Sequence, residues 1–378
     1  MTRFEIDLDD VDAIEAADPG GMLLAVASAA AQVREAQAAV TQVGLDAVAG
    51  TDRPRAIVCV GMGGSGIAGD VLAAVTGTGS AVPVWVHKDL GLPGWVGVND
   101  LVIAVSCSGS TQETLSAAVE ASRRGAALFG VGGAGSPLAA VVEQARGVFV
   151  PAPGGRQPRA SLWSLAVPGL MLADRLGLLG ERLDLEATAA RLEAVAATCH
   201  VGRDTFVNPA KSLALRFADH PVVQLWGTSQ VTGVAAYRFA CQLNENSKMP
   251  AVHGVLPEAA HNQIVAFDGE GAEGGGRDIF ADPYDEPAPK GRAPLLQVLL
   301  RDPGREAEPV ARRADVAVQL AESRGIGLQQ LEAEGATRLE RLASLTEVID
   351  FATVYAGIAA GFDPTPVDAI SSLKAALG

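Results

Sequence analysis

Between Ala56 and Gly133 the sequence alternates short β-branched runs with helix-forming runs, and this alternation constrains the fold more than any other feature. AIVCV leads through a glycine-packed turn into AGDVLAAV, and AVPVWV follows. LVIAVS then leads through a Ser/Thr turn into QETLSAAVEASRRG, and ALFGVGG closes the series. Strand, turn and helix in this order imply a parallel sheet with helices on both faces. A second series begins at PVVQLWG and continues through VTGVAAYRFACQL, PLLQVLL, PVARRADVAVQLAESRG and TRLERLASLTEVIDFATVYAGIAAG. PVVQLWGTSQVTG repeats the strand, small-residue turn and helix order of AIVCVGMGGSGIAG, so the sequence predicts a duplicated α/β architecture. PAPGGRQPRA is rich in Pro and Gly, which places a boundary near residue 152 and two domains at 1–152 and 153–378. The stretch 268–294 is acidic and dense in Gly and Pro, and reads as an exposed, mobile excursion.

A chain of 378 residues, 48% apolar, is too long for one compact core and long enough for two domains. Its longest apolar runs stop short of the roughly 18 residues that span a bilayer, and the acidic N-terminus lacks the basic flank and apolar centre of a secretory signal. A cytoplasmic protein without membrane segments is expected. Cys59, Cys107, Cys199 and Cys241 are scattered without a C-x-x-C pair, which fits reduced thiols rather than a zinc site or a disulfide framework. A net charge of −15 with no Lys/Arg run excludes nucleic acid and anionic membranes as expected partners.

Two ligands compete for the glycine turn. Gly61, Gly63 and Gly66 satisfy the G-x-G-x-x-G spacing of a dinucleotide site, which also asks for an acid at the end of the second strand. Asp89 lies near that position, but His87 and Lys88 beside it make no clean signature. The third strand decides the matter, because LVIAVS runs into CSGSTQETL. Ser106, Ser108, Ser110 and Thr111 can all donate hydrogen bonds at a helix start whose first N–H groups lack internal partners. A helix cap accounts for one hydroxyl, whereas four suit a phosphate monoester. The helix dipole favours that dianion without a lysine or a metal.

GMGGSGIAGD and SCSGSTQET resemble the two signatures of sugar-isomerase (SIS) domains. QPRA, NENSKMP, PEAAHNQIV and DPTPVDAISSLK resemble segments of the bifunctional phosphoglucose/phosphomannose isomerases, in the same order along nearly the whole chain. The resemblance implies two SIS domains of three-layer αβα type with parallel sheets, plus N- and C-terminal helices. It implies isomerisation of glucose 6-phosphate or mannose 6-phosphate to fructose 6-phosphate, with no cofactor and no metal. Gly63, Gly64, Ser65, Ser106, Ser108 and Thr111 would bind the substrate, and Thr365 would lie near its C2 epimeric centre. Glu245 in NENSK would be the base that shuttles the proton. His261 in HNQIV would open the ring, reaching the pocket of the neighbouring subunit in a homodimer. Arg159 in QPRA would stabilise the enediolate, and Lys374 in the closing helix would contact the ring oxygen.

Each of these residues also has a plain structural reading: a surface glutamate at a helix end, a linker arginine, a solvated helix-end lysine, a turn threonine. The sequence departs from the family pattern at Gln263, where Glu is common, and in the length of the acidic stretch after Phe267. The rival from another functional class is a sugar-phosphate-binding regulator that has lost catalysis. Such a protein would keep the hydroxyl turn and dispense with the base, the ring opener and the arginine.

Overall fold

β1 (Ile57–Val60), β2 (Val84–His87), β3 (Leu101–Ser106), β4 (Ala127–Gly133) and β5 (Val148–Ala152) form one sheet in the order β2-β1-β3-β4-β5, with every neighbouring pair parallel. The computed structural model describes residues 5–49, 53–218, 220, 222–269 and 295–377, so the acidic stretch lies outside the described residues from 270 to 294. β1 and β3 are buried along their whole length, as central strands covered on both faces must be. On one face Val58, Val60, Val102 and Ala104 pack against Ala117 and Ala121 of the helix Gln112–Arg124 and Leu138 of the helix Pro137–Gln144. The intervening residues Ile57, Cys59, Ile103 and Val105 point to the other face, where the helices Gly63–Thr76 and Leu162–Arg175 pack on each other and on the sheet.

These elements belong to a unit made of Leu24–Ala194 and Gly335–Ala343. The boundary expected after residue 152 falls at the end of β5, while the unit continues to Ala194. The reason is the helix Leu162–Arg175, whose buried Leu162, Leu165, Leu170 and Leu172 complete the core of the first sheet. The Pro/Gly stretch before it is therefore an internal turn of this unit.

β6 (Val222–Gly227), β7 (Ala251–Val255), β8 (Leu295–Arg301) and β9 (Gly327–Glu332) form a second parallel sheet, ordered β7-β6-β8-β9. That order matches β2-β1-β3-β4 of the first sheet, so the repetition read in the sequence is a repetition of topology. The sheet lies in a unit of Met1–Leu23, Val195–Glu334 and Ser344–Gly378. Trp226 of β6 is fully buried on one face among Leu256, Leu299, Ala314 and Ala317, and stacks on Phe267 at 5.8 Å between ring centroids. The helix Arg338–Ala359 is long and apolar enough to cross a membrane, with a mean hydropathy of 1.3 over an 18-residue window that is 94% buried in the protein. The apolar run FATVYAGIAAGF alone suggests a shorter segment. The helix lengthens it backwards through Leu342, Leu345 and Ile349, and interleaves buried Thr346, Glu347, Asp350 and Thr353.

Candidate active site

The hydroxyl-lined turn sits at the carboxyl ends of β1 and β3, where the strand order reverses and ligands of open α/β sheets bind. Ser106 is 1% exposed; its Oγ accepts from Gly109 N at 3.1 Å and donates to Thr111 Oγ1 at 3.0 Å. Ser108 and Ser110 are exposed, and Ser108 Oγ accepts from Ser110 N at 3.2 Å. Thr111 is the N-cap of the helix Gln112–Arg124 but its side chain makes no capping bond. The first N–H groups of that helix therefore have no side-chain cap from Thr111. Ser65 Oγ accepts from Cys107 N at 3.1 Å and ties this turn to the glycine turn. Gly64 brings in the third segment: a Cβ there would stand 2.9 Å from Pro158 O and 3.1 Å from Arg159 N, so only glycine lets QPRA pack against the helix start. Arg159, 2% exposed, is thereby held beside Gly63, Gly64 and Ser65. The structure gathers these predicted residues with the hydroxyl turn.

Glu245 lies in the last turn of the helix Gln230–Asn246, half-buried. The end of that helix is fixed by its neighbours. Asn246 Nδ2 donates to Thr353 Oγ1 at 3.0 Å, and Ser247 Oγ donates to Thr353 O at 2.6 Å. Lys248 has a left-handed backbone (φ 56°), and its Nζ donates to Glu245 O at 2.6 Å and to Pro366 O at 2.7 Å. That bond joins NENSK to the DPTP turn that carries Thr365. His261 ends the short 3-10 turn Glu258–His261, is exposed, and makes no hydrogen bond among the described residues. It borders a groove of about 540 Å³ with Ile264, Arg312, Arg313 and Val316. Lys374 is exposed on the terminal helix Asp368–Leu377 and forms no ion pair among the described residues. Among the described residues, neither His261 nor Lys374 is held by a side-chain bond of its own.

Among known sequences, the chain is 32% identical to a bifunctional phosphoglucose/phosphomannose isomerase of Caldicellulosiruptor bescii over 84% of this chain and 88% of that protein. It is 30% identical to one of Aquifex aeolicus over 85% and 89%. The chain belongs to the bifunctional phosphoglucose/phosphomannose isomerase family. Residues 206–377 also match the family described as the bacterial phospho-glucose isomerase C-terminal SIS domain. The fold of this family member is shared with a glucose-6-phosphate isomerase like protein of Thermus thermophilus, at a TM-score of 0.61 and 18% identity over 98% of this chain and 99% of that one. It is shared too with the C-terminal domain of a glucosamine-fructose-6-phosphate aminotransferase of Francisella tularensis, at a TM-score of 0.64 and 15% identity over 91% and 97%.

In this phosphoglucose/phosphomannose isomerase family member the two topologically equivalent turns are built differently. At the end of β6, Ser229 and Thr232 cap the helix Gln230–Asn246 reciprocally. Glu306, in the loop after β8, accepts from Thr228 Oγ1 at 2.6 Å, Asp302 N at 2.7 Å and Arg301 Nε at 2.8 Å. Burial would push that carboxyl up, but the Arg301 guanidinium, Thr228 and the Asp302 amide outweigh it and hold it at about 2. The protein's own carboxylate therefore occupies donors at the second turn, whereas at the first the hydroxyls bond to one another, Ser106 to Thr111 and Ser110 to Ser108, with no carboxylate among them. Sequence reasoning missed this pair, and also Arg238 with Asp350. Arg238 Nε donates to Asp350 Oδ1 at 2.9 Å, and Gln242 Nε2 donates to the same oxygen at 2.9 Å. The signal was present as a charge inside each of two apolar helical runs, which calls for a buried partner.

Proposed function

We propose that the chain is a reversible aldose–ketose isomerase that converts glucose 6-phosphate or mannose 6-phosphate to fructose 6-phosphate through a cis-enediol. The observation that carries this reading is the match to isomerases of that name across 84% of the chain, a span that includes the Glu245 and His261 motifs. The non-catalytic regulator is not favoured, since the curated relatives over that span are named as enzymes. Isomerisation takes a proton from the carbon beside the carbonyl and returns one to its neighbour, so no redox partner enters the balance. The hydroxyl turn at Ser106, Ser108 and Thr111, with Gly63, Gly64 and Ser65, holds the phosphate through hydroxyl and helix-start donors. Glu245 takes the proton from C2 of the opened aldose and returns it to C1, and Arg159 stabilises the enediolate charge. His261 opens the ring, Lys374 binds the ring oxygen, and Thr365 lies by the epimeric carbon.

The working form is a homodimer in which His261 serves the neighbouring subunit. Two features support this. His261 is exposed without a fixing bond among the described residues, and the terminal helix is exposed along 368–376, Ile370 and Leu373 included. The same reading puts the enzyme in the cytoplasm, where a charged sugar phosphate is retained by the cost of moving its dianion through a bilayer.

The test is to incubate the purified protein with fructose 6-phosphate in D2O and to locate the label in the aldose products by NMR. Deuterium is expected at C2, and Glu245→Gln should lose at least about a hundredfold in turnover, the scale of a deleted general base. Undiminished turnover in the variant would remove Glu245 from its role.

A further inference from the structure

His261 takes its position from its neighbours. On its N-terminal side the chain is anchored by Leu256 N, which donates to Gly227 O at 2.9 Å, and by Ala259, 1% exposed in the core. On its C-terminal side the next anchor is Gln263, which begins the 3-10 turn Gln263–Asp268. Gln263 Oε1 accepts from the indole Nε1 of Trp226 on β6 at 2.6 Å, and its Nε2 donates to His253 O on β7 at 2.9 Å. Gln224 Nε2 approaches the Gln263 carbonyl at 3.3 Å. An indole nitrogen can only donate and a backbone carbonyl can only accept, so the group between them must present an acceptor to one and a donor to the other. An amide does this at every pH, and a carboxyl only while protonated. The backbone makes room for the same amide, because a Cβ at Gly254 would stand 2.6 Å from Gln263 Oε1 and 2.9 Å from its Nε2.

We infer that Gln263 is a positioning residue for His261: its amide clamps the histidine turn onto β6 and β7 and so sets where the imidazole meets the substrate. This inference rests on the assignment of His261 as ring opener. Loss of the clamp moves a catalytic group without removing it, so kcat falls while binding at the hydroxyl turn persists.

The test compares the full-length wild type with Gln263→Glu, Gln263→Ala, Trp226→Phe and His261→Ala, with fructose 6-phosphate as substrate from about pH 5 to 8.5. Gln263→Glu is expected to lose about tenfold in kcat at the alkaline end with KM within about twofold. Its ratio to wild type should rise as pH falls and the new carboxyl, protonated, donates again to His253 O. Gln263→Ala should show the loss at all pH values. Trp226→Phe, which keeps a ring against Phe267 but deletes the indole donor, should lose several-fold in kcat without a pH trend in the ratio. Among the described residues, the titratable and charged groups about the turn are His253, Glu258, His261 and Asp268, the last paired with Arg324 at 3.1 Å, with Glu308, Arg312 and Arg313 across the groove. They are common to the Gln263 and Trp226 variants and wild type, so they cancel in those ratios.

Wild-type kcat for Gln263→Glu and Gln263→Ala at every pH would overturn the inference, as would a Gln263→Glu ratio that does not change with pH. Should the Gln263 variants fail to fold, Trp226→Phe decides it alone, and wild-type kcat there overturns it. Undiminished turnover in His261→Ala would instead overturn the assignment of the ring opener, whatever the Gln263 variants do.

Discussion

Glu347 is 1% exposed in the long helix Arg338–Ala359, and neither of its carboxyl oxygens has a hydrogen-bond partner among the described residues. Burial first, and then the negative charge of Asp350, push its pKa well above the usual carboxylate range, while Arg238 pulls the other way. The folded chain therefore keeps a proton that the unfolded chain releases above about pH 4.5. With more protons bound in the folded state, stability falls as pH rises from that point toward the raised value, by up to about tenfold in the folding constant per pH unit. Glu347→Gln preserves the shape and removes the titration. Urea denaturation at several pH values should find the variant more stable than wild type at pH 8, with the difference shrinking toward about pH 5. Parallel curves would mean that Glu347 releases its proton equally readily in both states.

The helices Gln230–Asn246 and Arg338–Ala359 are joined by a ladder of buried polar contacts, from Arg238 and Gln242 on Asp350 to Asn246 and Ser247 on Thr353. The ladder ends at the turn that carries Glu245, so it fixes the helix whose last turn supplies the proposed base. Asp350→Ala would strand Arg238, 1% exposed, without its carboxylate, and breaking a buried pair from one side costs about 3–5 kcal/mol. Denaturant unfolding should show a loss of that size, and one below about 1 kcal/mol would mean that water or the neighbouring Glu347 carboxyl takes over the guanidinium. Central strands and motif turns were legible in the sequence because each is a local signal. β1 and β3 read as unbroken apolar runs, and the glycine and serine turns as punctuation. β5, β7 and β9 did not declare themselves: all three are edge strands, as is β2, but without the run that made β2 readable in AVPVWV. VFVPA carries a proline, and AVHGV and GLQQLE are only partly buried, so none shows the apolar pattern of a covered strand. The gathering of Arg159 with the hydroxyl turn was implied by resemblance alone. The space at Gly64 that permits it exists only in three dimensions.

At the scale of the whole molecule, the proposed homodimer of a chain of net charge −15 would bring like-charged copies together, so its association belongs at physiological ionic strength, where charges beyond about 8 Å are largely screened. If each reaction centre takes Glu245 from one copy and His261 from the other, two inactive variants can repair one another. A hybrid of Glu245→Gln with His261→Ala has one centre with both groups intact and one with neither. Random pairing makes half the dimers hybrid, and a C2 arrangement then restores about a quarter of wild-type turnover to an equal mixture. Co-expression of the two variants with different affinity tags, followed by sequential capture, isolates the hybrid, which should show about half the wild-type turnover per dimer. Were both groups drawn from the same copy, every centre in the hybrid would lack one of them, and activity would stay at the level of the parents. A hybrid no more active than its parents would therefore assign His261 to the chain that carries it.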